Sequence, residues 1–314
     1  MEKKFVITGA AGLVGQNLIP RLQSRGYNNI VAIDKHPANT TILKKNYPDV
    51  HLLRSDLAAN GSHPNEWQSA LSGCNVLVIG HAQIGGMVPE EFVRNNITAT
   101  ERLLEAALHH KVPYIVNISS SVVNSMAVDN YTETKKAQEA LITASGIRQI
   151  VLRPTLMFGW FDRKHLGWLA RFMKKVPVFP VPGSGRFLRQ PLFAGDFCDI
   201  IVSASETEVT GAYNITGHER IDYIDLIRAV KKATGASARI QPIPYSLFWS
   251  LLKINSFFDP NPPFTVGQLA ALVTPDVFEV IDWPSIFNIQ ATPLQVALEK
   301  TFRDPKYSQI TLDF

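Results

Sequence analysis

"FVITGAAGLVG", residues 5–15, decides the fold. The apolar run Phe5-Val6-Ile7 passes into three glycines spaced by threes, Gly9, Gly12 and Gly15, and then into an amphipathic stretch. Glycine inside an element costs about 0.5–1 kcal/mol relative to alanine, so three of them at a strand-to-helix handover imply a close approach to the backbone. In that context the first glycine makes the tight turn, and the bare backbone admits a pyrophosphate to the N–H groups and positive dipole end of the helix. The expected contacts are Gly9, Gly12, Leu13, Val14 and Gly15.

Outward from this turn, residues 1–155 alternate between two periods. Strand-like runs are "FVITG", "NIVAID", "VHLLRSD", "NVLVIG", "YIVNISS" and "RQIVLRP". Between them lie helix-like stretches that include "LVGQNLIPRLQSRG", "EWQSALSG", "PEEFVRNNITATERLLEAALHHK" and "YTETKKAQEALITASG", with ends at Gly26, Gly73 and Gly146. Short apolar runs alternating with amphipathic helices predict an α/β fold, a Rossmann-type doubly wound parallel sheet with a smaller mixed α/β C-terminal lobe. The expected division is 1–155 for a dinucleotide-binding domain, with 190–205 returning to it, and 156–314 for a substrate-binding lobe with Pro-rich connections such as "FFDPNPPFT".

Asp34, which closes "NIVAID" about twenty residues beyond the last glycine, is placed to accept hydrogen bonds from both ribose hydroxyls of a dinucleotide and to repel a 2′-phosphate. NAD is therefore expected over NADP, with Lys35 softening the preference.

The 314 residues are 46% hydrophobic and 18% charged, with a net charge of +4, enough for one large core or two unequal lobes. The mild basic excess reads as scattered Lys and Arg with some preference for anionic ligands, too small for a nucleic-acid surface. Cys74 and Cys198 stand alone, without a CxxC pair, so neither a disulfide framework nor a zinc site is expected, and a reducing cytosol fits. The eight histidines lack HxH or HExxH spacing, so no metal site is expected. "MEKKFVITGA" leaves no room for a signal peptide, and no apolar stretch is long enough to span a bilayer. The run "IPYSLFWSLL" (243–252) is expected to be a helix packed on the core, with a helix lying on a membrane surface as the other reading. "RKHLGWLARFMKK" (163–175) reads as a lobe helix that packs Leu166, Leu169, Ala170 and Met173 and solvates its basic face.

"TGAAGLVG", "SDL" at 55–57, "GHAQ" at 80–83, "NNITATERLLEAA", "SSS" at 119–121 and "YTETK" at 131–135 together resemble the extended short-chain dehydrogenase/reductase family, which contains nucleotide-sugar epimerases, dehydratases and 3β-hydroxysteroid dehydrogenases. The resemblance is continuous to about residue 200. It implies cofactor contacts at Asp56, Leu57, Gly80, His81, Ala82, Asn96 and Pro154, and a catalytic set of Ser120, Tyr131 and Lys135. Ser121 would take the serine role if Val123 does not align with the family's valine. "GSGRFLRQPLFAGDF" is similar to the segment whose arginine binds a nucleotide diphosphate, here Arg189 with Arg186 as substitute, followed by Asp196. Ser121, Thr155 and Arg189 are the implied substrate contacts, a nucleotide-sugar the implied substrate, and a cytoplasmic homodimer the implied state.

The Tyr/Lys pair also has a physical reading of its own. Tyr131 and Lys135, four apart on a helix, project from one face. An ammonium near a phenol favours the phenolate, and a phenol so acidified serves as a general base near neutral pH.

Three departures narrow the chemistry. No carboxylate follows Ser120, where Ser121, Val122 and Val123 stand, so dehydration is disfavoured. Only ten residues separate Ser120 from Tyr131, and Leu156 stands where many UDP-sugar epimerases carry Asn. Phe158, Trp160, Phe161 and Trp168 would suit a pocket for a sterol-like or other apolar alcohol. "LRPTLMFGWFDR" and "IQATPLQVALEKTF" also resemble the complex I 39-kDa-subunit branch, whose members hold a dinucleotide structurally, so a non-catalytic scaffold is a further alternative. The presence of both Tyr131 and Lys135 favours an enzyme.

Overall fold

The structure is a computed structural model that describes residues 2–59, 66–126, 128–258, 266–273 and 279–313. The Pro-rich segment 259–265 lies outside the described residues.

The alternating runs form seven parallel strands: β1 (Phe5–Thr8), β2 (Ile30–Asp34), β3 (His51–Arg54), β4 (Val76–Ile79), β5 (Ile115–Ile118), β6 (Gln149–Pro154) and β7 (Gly211–Ile215). They pair in the order β7-β6-β5-β4-β1-β2-β3. Strand order reverses between β1 and β4, and the crevice beyond the carboxyl ends of those two strands is where such sheets bind ligands. Side chains alternate across the sheet: Phe5, Ile7, Ala32 and Val78 join one core, while Val6, Val31, Ile33 and Leu77 join the other. Both faces are therefore buried, which explains why the strands read as continuous apolar runs.

Helices cover each face. α1 (Leu13–Ser24) packs on one side, and α2 (Pro37–Asn46) follows β2. The sequence reading passed over α2, whose N-terminus is marked by Pro37 in its first turn and capped by the His36 side chain. α3 (Ala99–His109) covers the other face, preceded by a π-helical stretch, Val93–Thr98, and α4 (Asn130–Ala144) lies against this stretch and α3. α5 (Ala194–Thr207) packs against α1, and the chain then adds β7, an edge strand the sequence reading did not single out.

Inside α1, Pro20 has no N–H to give to the carbonyl one turn back at Gln16. The hydroxyl of Tyr47, 5% exposed, supplies the missing donor at 2.9 Å. Leu18, Ile19 and Leu22 are fully buried on the same helix, each contributing about 1.5–3 kcal/mol.

The lobe has its own apolar cluster, built from the helices Leu166–Met173, Tyr223–Thr234 and Leu294–Arg303 and the parallel strand pair Val178–Pro182 and Arg239–Ile243. The chain beyond this lobe returns to the sheet domain, where Tyr307 packs among Tyr47, Trp160 and Phe161. The Asn39 side chain there bonds both backbone groups of Asp313 at 2.8 Å.

The helix Tyr245–Phe258 overturns the expectation of a core-packed segment. Leu247, Leu251 and Ile254 are about half exposed, and of its side chains from 245 to 254 only Phe248 and Leu252 are partly covered.

Candidate active site

The three glycines of the first turn are bare for different reasons. Gly9 has φ +63°, and a Cβ there would stand 2.5 Å from the Gly80 carbonyl oxygen. A Cβ on Gly15 would strike the Ala10 backbone. Both serve the packing of the turn itself, against β4 and α1. At Gly12 a Cβ would meet only the Gly9 oxygen, at 3.2 Å. Gly12 is the extended residue that caps α1, with no side-chain cap and no acid in the first turn, so the N–H groups of Leu13 and Val14 stay available to an anion.

Asp34, half-buried at the end of β2, holds this turn in place. Its Oδ2 accepts the Ala11 N–H and its Oδ1 the His36 N–H, both at 2.9 Å. Lys35 donates to Asn95 at 2.7 Å and lies 3.8 Å from Asp56, which Arg94 engages at 2.8 Å. Burial pushes the Asp56 carboxyl up, but the Arg94 and Ala58 hydrogen bonds and the Lys35 charge together hold it below its ordinary value. Arg94 was not singled out in the sequence, because its partner lies thirty-eight residues away. Leu57 is buried, Gly80 and Ala82 are half-buried beyond β4, and Pro154 is buried at the end of β6.

Two of the expected cofactor contacts also hold the frame together. Asn96 is fully buried. Its Oδ1 accepts the Gln83 N–H at 2.6 Å, and its Nδ2 donates to the Gln83 carbonyl at 3.2 Å and to Thr134 at 2.9 Å, locking the loop after β4 onto α4. His81 sits in a polar chain: Thr8 Oγ1 to His81 Nδ1 at 2.8 Å, His81 Nε2 to Thr100 Oγ1 at 3.0 Å, and Gln138 Nε2 to Thr100 Oγ1 at 2.9 Å. Burial, aided by the Lys135 and Lys35 charges, pushes His81 down to about 3, so its ring is neutral.

The chain continues to Lys135, 2% exposed, whose Nζ donates to Gln138 Oε1 at 2.5 Å and to the Ile118 carbonyl at 3.0 Å. Burial pushes its ammonium down to about 8, against the pull of Glu139. Gln138 was legible in principle, since it follows Lys135 by three and shares its helix face.

Asp129 caps α4, accepting the Thr132 N–H at 2.9 Å and its hydroxyl at 2.8 Å. That cap orients the first turn, which carries Tyr131. Beyond β5, Ser119 bonds Glu139 at 2.5 Å, and Glu139 also holds Arg153. Ser120 caps the short turn Ser121–Asn124, with its side chain near the Tyr131 phenol, while Ser121 is half-buried within that turn. Burial pushes the phenol above its ordinary value, the Ser120 side chain draws it partly back, and Asp129 adds to the rise. The expectation that Lys135 acidifies Tyr131 is thereby corrected: desolvation dominates, and the amine bonds Ile118 and Gln138.

On the lobe side, Thr155 is buried with its hydroxyl unpartnered at the end of β6. Arg189 lies over the Phe187 ring at 5.2 Å. Arg186, the substitute anion ligand, is instead paired with Asp222 at 2.8 Å and Asp225 at 3.0 Å. The four aromatics expected around an apolar pocket do not converge. Trp160 and Phe161 pack on Tyr307, Trp168 stacks on Phe172, and only Phe158 lines the cavity of about 140 Å³ between α5 and Trp283. Ser120, Tyr131 and Lys135 do not line that cavity.

A doubly wound parallel sheet, an uncapped helix N-terminus at its switch point and a Ser-Tyr-Lys set at the same carboxyl edge define a dinucleotide-binding oxidoreductase class. The chain belongs to the NAD dependent epimerase/dehydratase family, whose model matches residues 5–216. A ceramide reductase from Caulobacter vibrioides is 24% identical over 240 residues, 76% of this chain and 73% of that protein. The UDP-glucuronic acid 4-epimerase from Bacillus cereus, solved in complex with NAD, is 22% identical with a TM-score of 0.69, covering 96% of this chain and 97% of that one. The UDP-N-acetylglucosamine 4-epimerase from Methanobrevibacter ruminantium M1, in complex with UDP-N-acetylmuramic acid, is 14% identical with a TM-score of 0.75, at 96% and 97% coverage. At these identities the likeness to the two structures shows the fold. None of these three relatives is a complex I subunit.

Proposed function

We propose that this chain is an NAD-dependent oxidoreductase or epimerase acting at a carbinol carbon of a nucleotide-linked sugar. The observation that carries the reading is the placement of Ser120, just beyond β5, and of Tyr131 and Lys135, four apart on α4, at the carboxyl edge of the sheet that also holds the open N-terminus of α1. The residues of the crevice fit NAD: Gly12, Leu13 and Val14 for the phosphates, Asp34 and Lys35 for the adenosine ribose, and Asp56 and Leu57 for the adenine. Gly80, Ala82 and Pro154 line the remainder. Asp34 favours NAD over NADP, and the two cations that would welcome a 2′-phosphate, Lys35 and Arg94, share the Asp56 carboxylate.

NAD bound there supplies hydride acceptance at the carbinol carbon and, in an epimerase, hydride return. Ser120 holds the substrate hydroxyl and Tyr131 moves its proton. The burial-raised phenol keeps its proton at neutral pH and so favours donation to a ketone oxygen. Ser121 and Thr155 of the sheet domain and Arg189 of the 156–314 lobe are the substrate contacts, and a cytosolic homodimer belongs to the same reading. Dehydration is disfavoured, because no carboxylate follows Ser120.

A second substrate class, an apolar alcohol, is favoured by the ceramide reductase relative. Both are tested by incubating the protein with NAD and panels of UDP-, GDP- and dTDP-sugars and of long-chain alcohols, reading NADH absorbance and product stereochemistry. Tyr131→Phe is expected to lower kcat by about 10²–10⁴-fold with NAD affinity unchanged. Turnover that survives this substitution removes the mechanism. Silence on every substrate, with NAD still bound, assigns the chain to a scaffold.

A further inference from the structure

The net charge of +4 conceals a sharp division. Residues 163–195 carry seven Lys and Arg and residues 226–258 carry five, and neither run contains an Asp or Glu, with Arg186 and Arg228 paired to Asp222 and Asp225 outside them. These runs are joined in space by the strand pair Val178–Pro182 and Arg239–Ile243, which sets Arg239 beside Val178 directly after the exposed Lys174 and Lys175. The second run ends in the helix Tyr245–Phe258. Leu251 and Ile254 there are 53% and 55% exposed, and Tyr245, Leu247 and Trp249 are also open. Lys253 is the helix's only charged residue.

A helix that is apolar around most of its circumference needs a cover. Fourteen residues span about 21 Å, short of the roughly 30 Å of a bilayer core, and no described helix is long and apolar enough to cross a membrane. A second copy would bring two acid-free basic runs against their equals, and nucleic acid offers little to Leu247, Leu251 and Ile254. An anionic bilayer surface takes both features, with leucines and aromatics in the acyl boundary and cations at the headgroups.

We propose that this lobe docks on anionic lipid surfaces, laying the helix Tyr245–Phe258 in the interface with Lys174, Lys175 and Arg239 at the headgroups. The inference is independent of the catalytic reading, since it concerns none of the residues placed in the site.

The test uses the full chain with vesicles of phosphatidylcholine alone or mixed with phosphatidylglycerol, reading co-sedimentation, the blue shift of tryptophan emission and salt dependence. Binding is expected only to the anionic vesicles and is expected to weaken with salt. It should fall about tenfold or more in Lys174→Glu/Lys175→Glu and in Leu247→Ser/Leu251→Ser/Ile254→Ser. These positions are exposed, and an unchanged thermal midpoint and NAD affinity will show that the variants fold. Absence of binding, equal binding to neutral vesicles, or binding indifferent to the serine variant overturns the proposal. So does light scattering that finds a dimer broken by the serine variant, which would assign the helix to a second copy.

Discussion

Among single residues, the ones that hold the frame are as consequential as those that meet a substrate. Tyr47 donates to a carbonyl that Pro20 leaves without its helical partner. Tyr47→Phe keeps the ring and strands that carbonyl, so a loss of about 1–3 kcal/mol is expected in denaturant unfolding, with little change in NAD affinity. His81 gives a pH signature. Its folded value is pushed down to about 3, whereas the unfolded chain takes up the proton near 6.5, so the unfolded state binds more protons between those values. Stability attributable to this ring is complete above about 6.5 and is lost as pH falls toward 3. Denaturation midpoints at pH 7 and 4.5 should therefore separate by more in the wild type than in His81→Asn; an equal separation would refute the buried neutral ring. Asn96 teaches the same lesson. The family resemblance found the position, and in the structure its fully buried side chain clamps Gln83 and Thr134.

For secondary-structure elements, local chemistry sets where the reactive groups point. α4 begins at Asp129, whose carboxyl the Thr132 N–H bond holds below its ordinary value. Asp129→Ala should cost about 1 kcal/mol, fray the turn bearing Tyr131 and lower kcat more than it raises KM, with Asp129→Asn recovering most of both. Activity unaffected by the alanine would show that the turn is held by packing alone. Five of the six strands of residues 1–155 were legible because each is buried on both faces, and β3, an edge strand with His51 and Arg54 exposed, was legible from its Leu52-Leu53 pair. β7 was not, since at "GAYNI" the first two residues are exposed and the strand lies at the sheet edge. α2 escaped because "PANTTILKKN" is polar, with a weak apolar stripe.

Across the whole molecule, the C-terminal residues bind the lobe back to the sheet domain. Tyr307 and Leu312 join the core beneath α1, and Asn39 secures Asp313. Removing residues 305–314 exposes that surface, so the thermal midpoint should drop by several degrees and the sheet domain should lose stability with the lobe. A midpoint that does not move would mean the tail rides on the surface. No periodicity announces this contact, because its partners are more than 250 residues apart. The sequence by itself determined the parallel α/β sheet and the glycine turn, since each follows from local period, residue type and spacing, while the family resemblance pointed to Ser120, Tyr131 and Lys135. Only the tertiary structure decided that Gly9 and Gly15 are bare for backbone packing, that burial raises the Tyr131 phenol, and that an apolar helix stands open on a basic lobe. Those outcomes depend on desolvation and on neighbours brought together from distant parts of the chain, which no local pattern encodes.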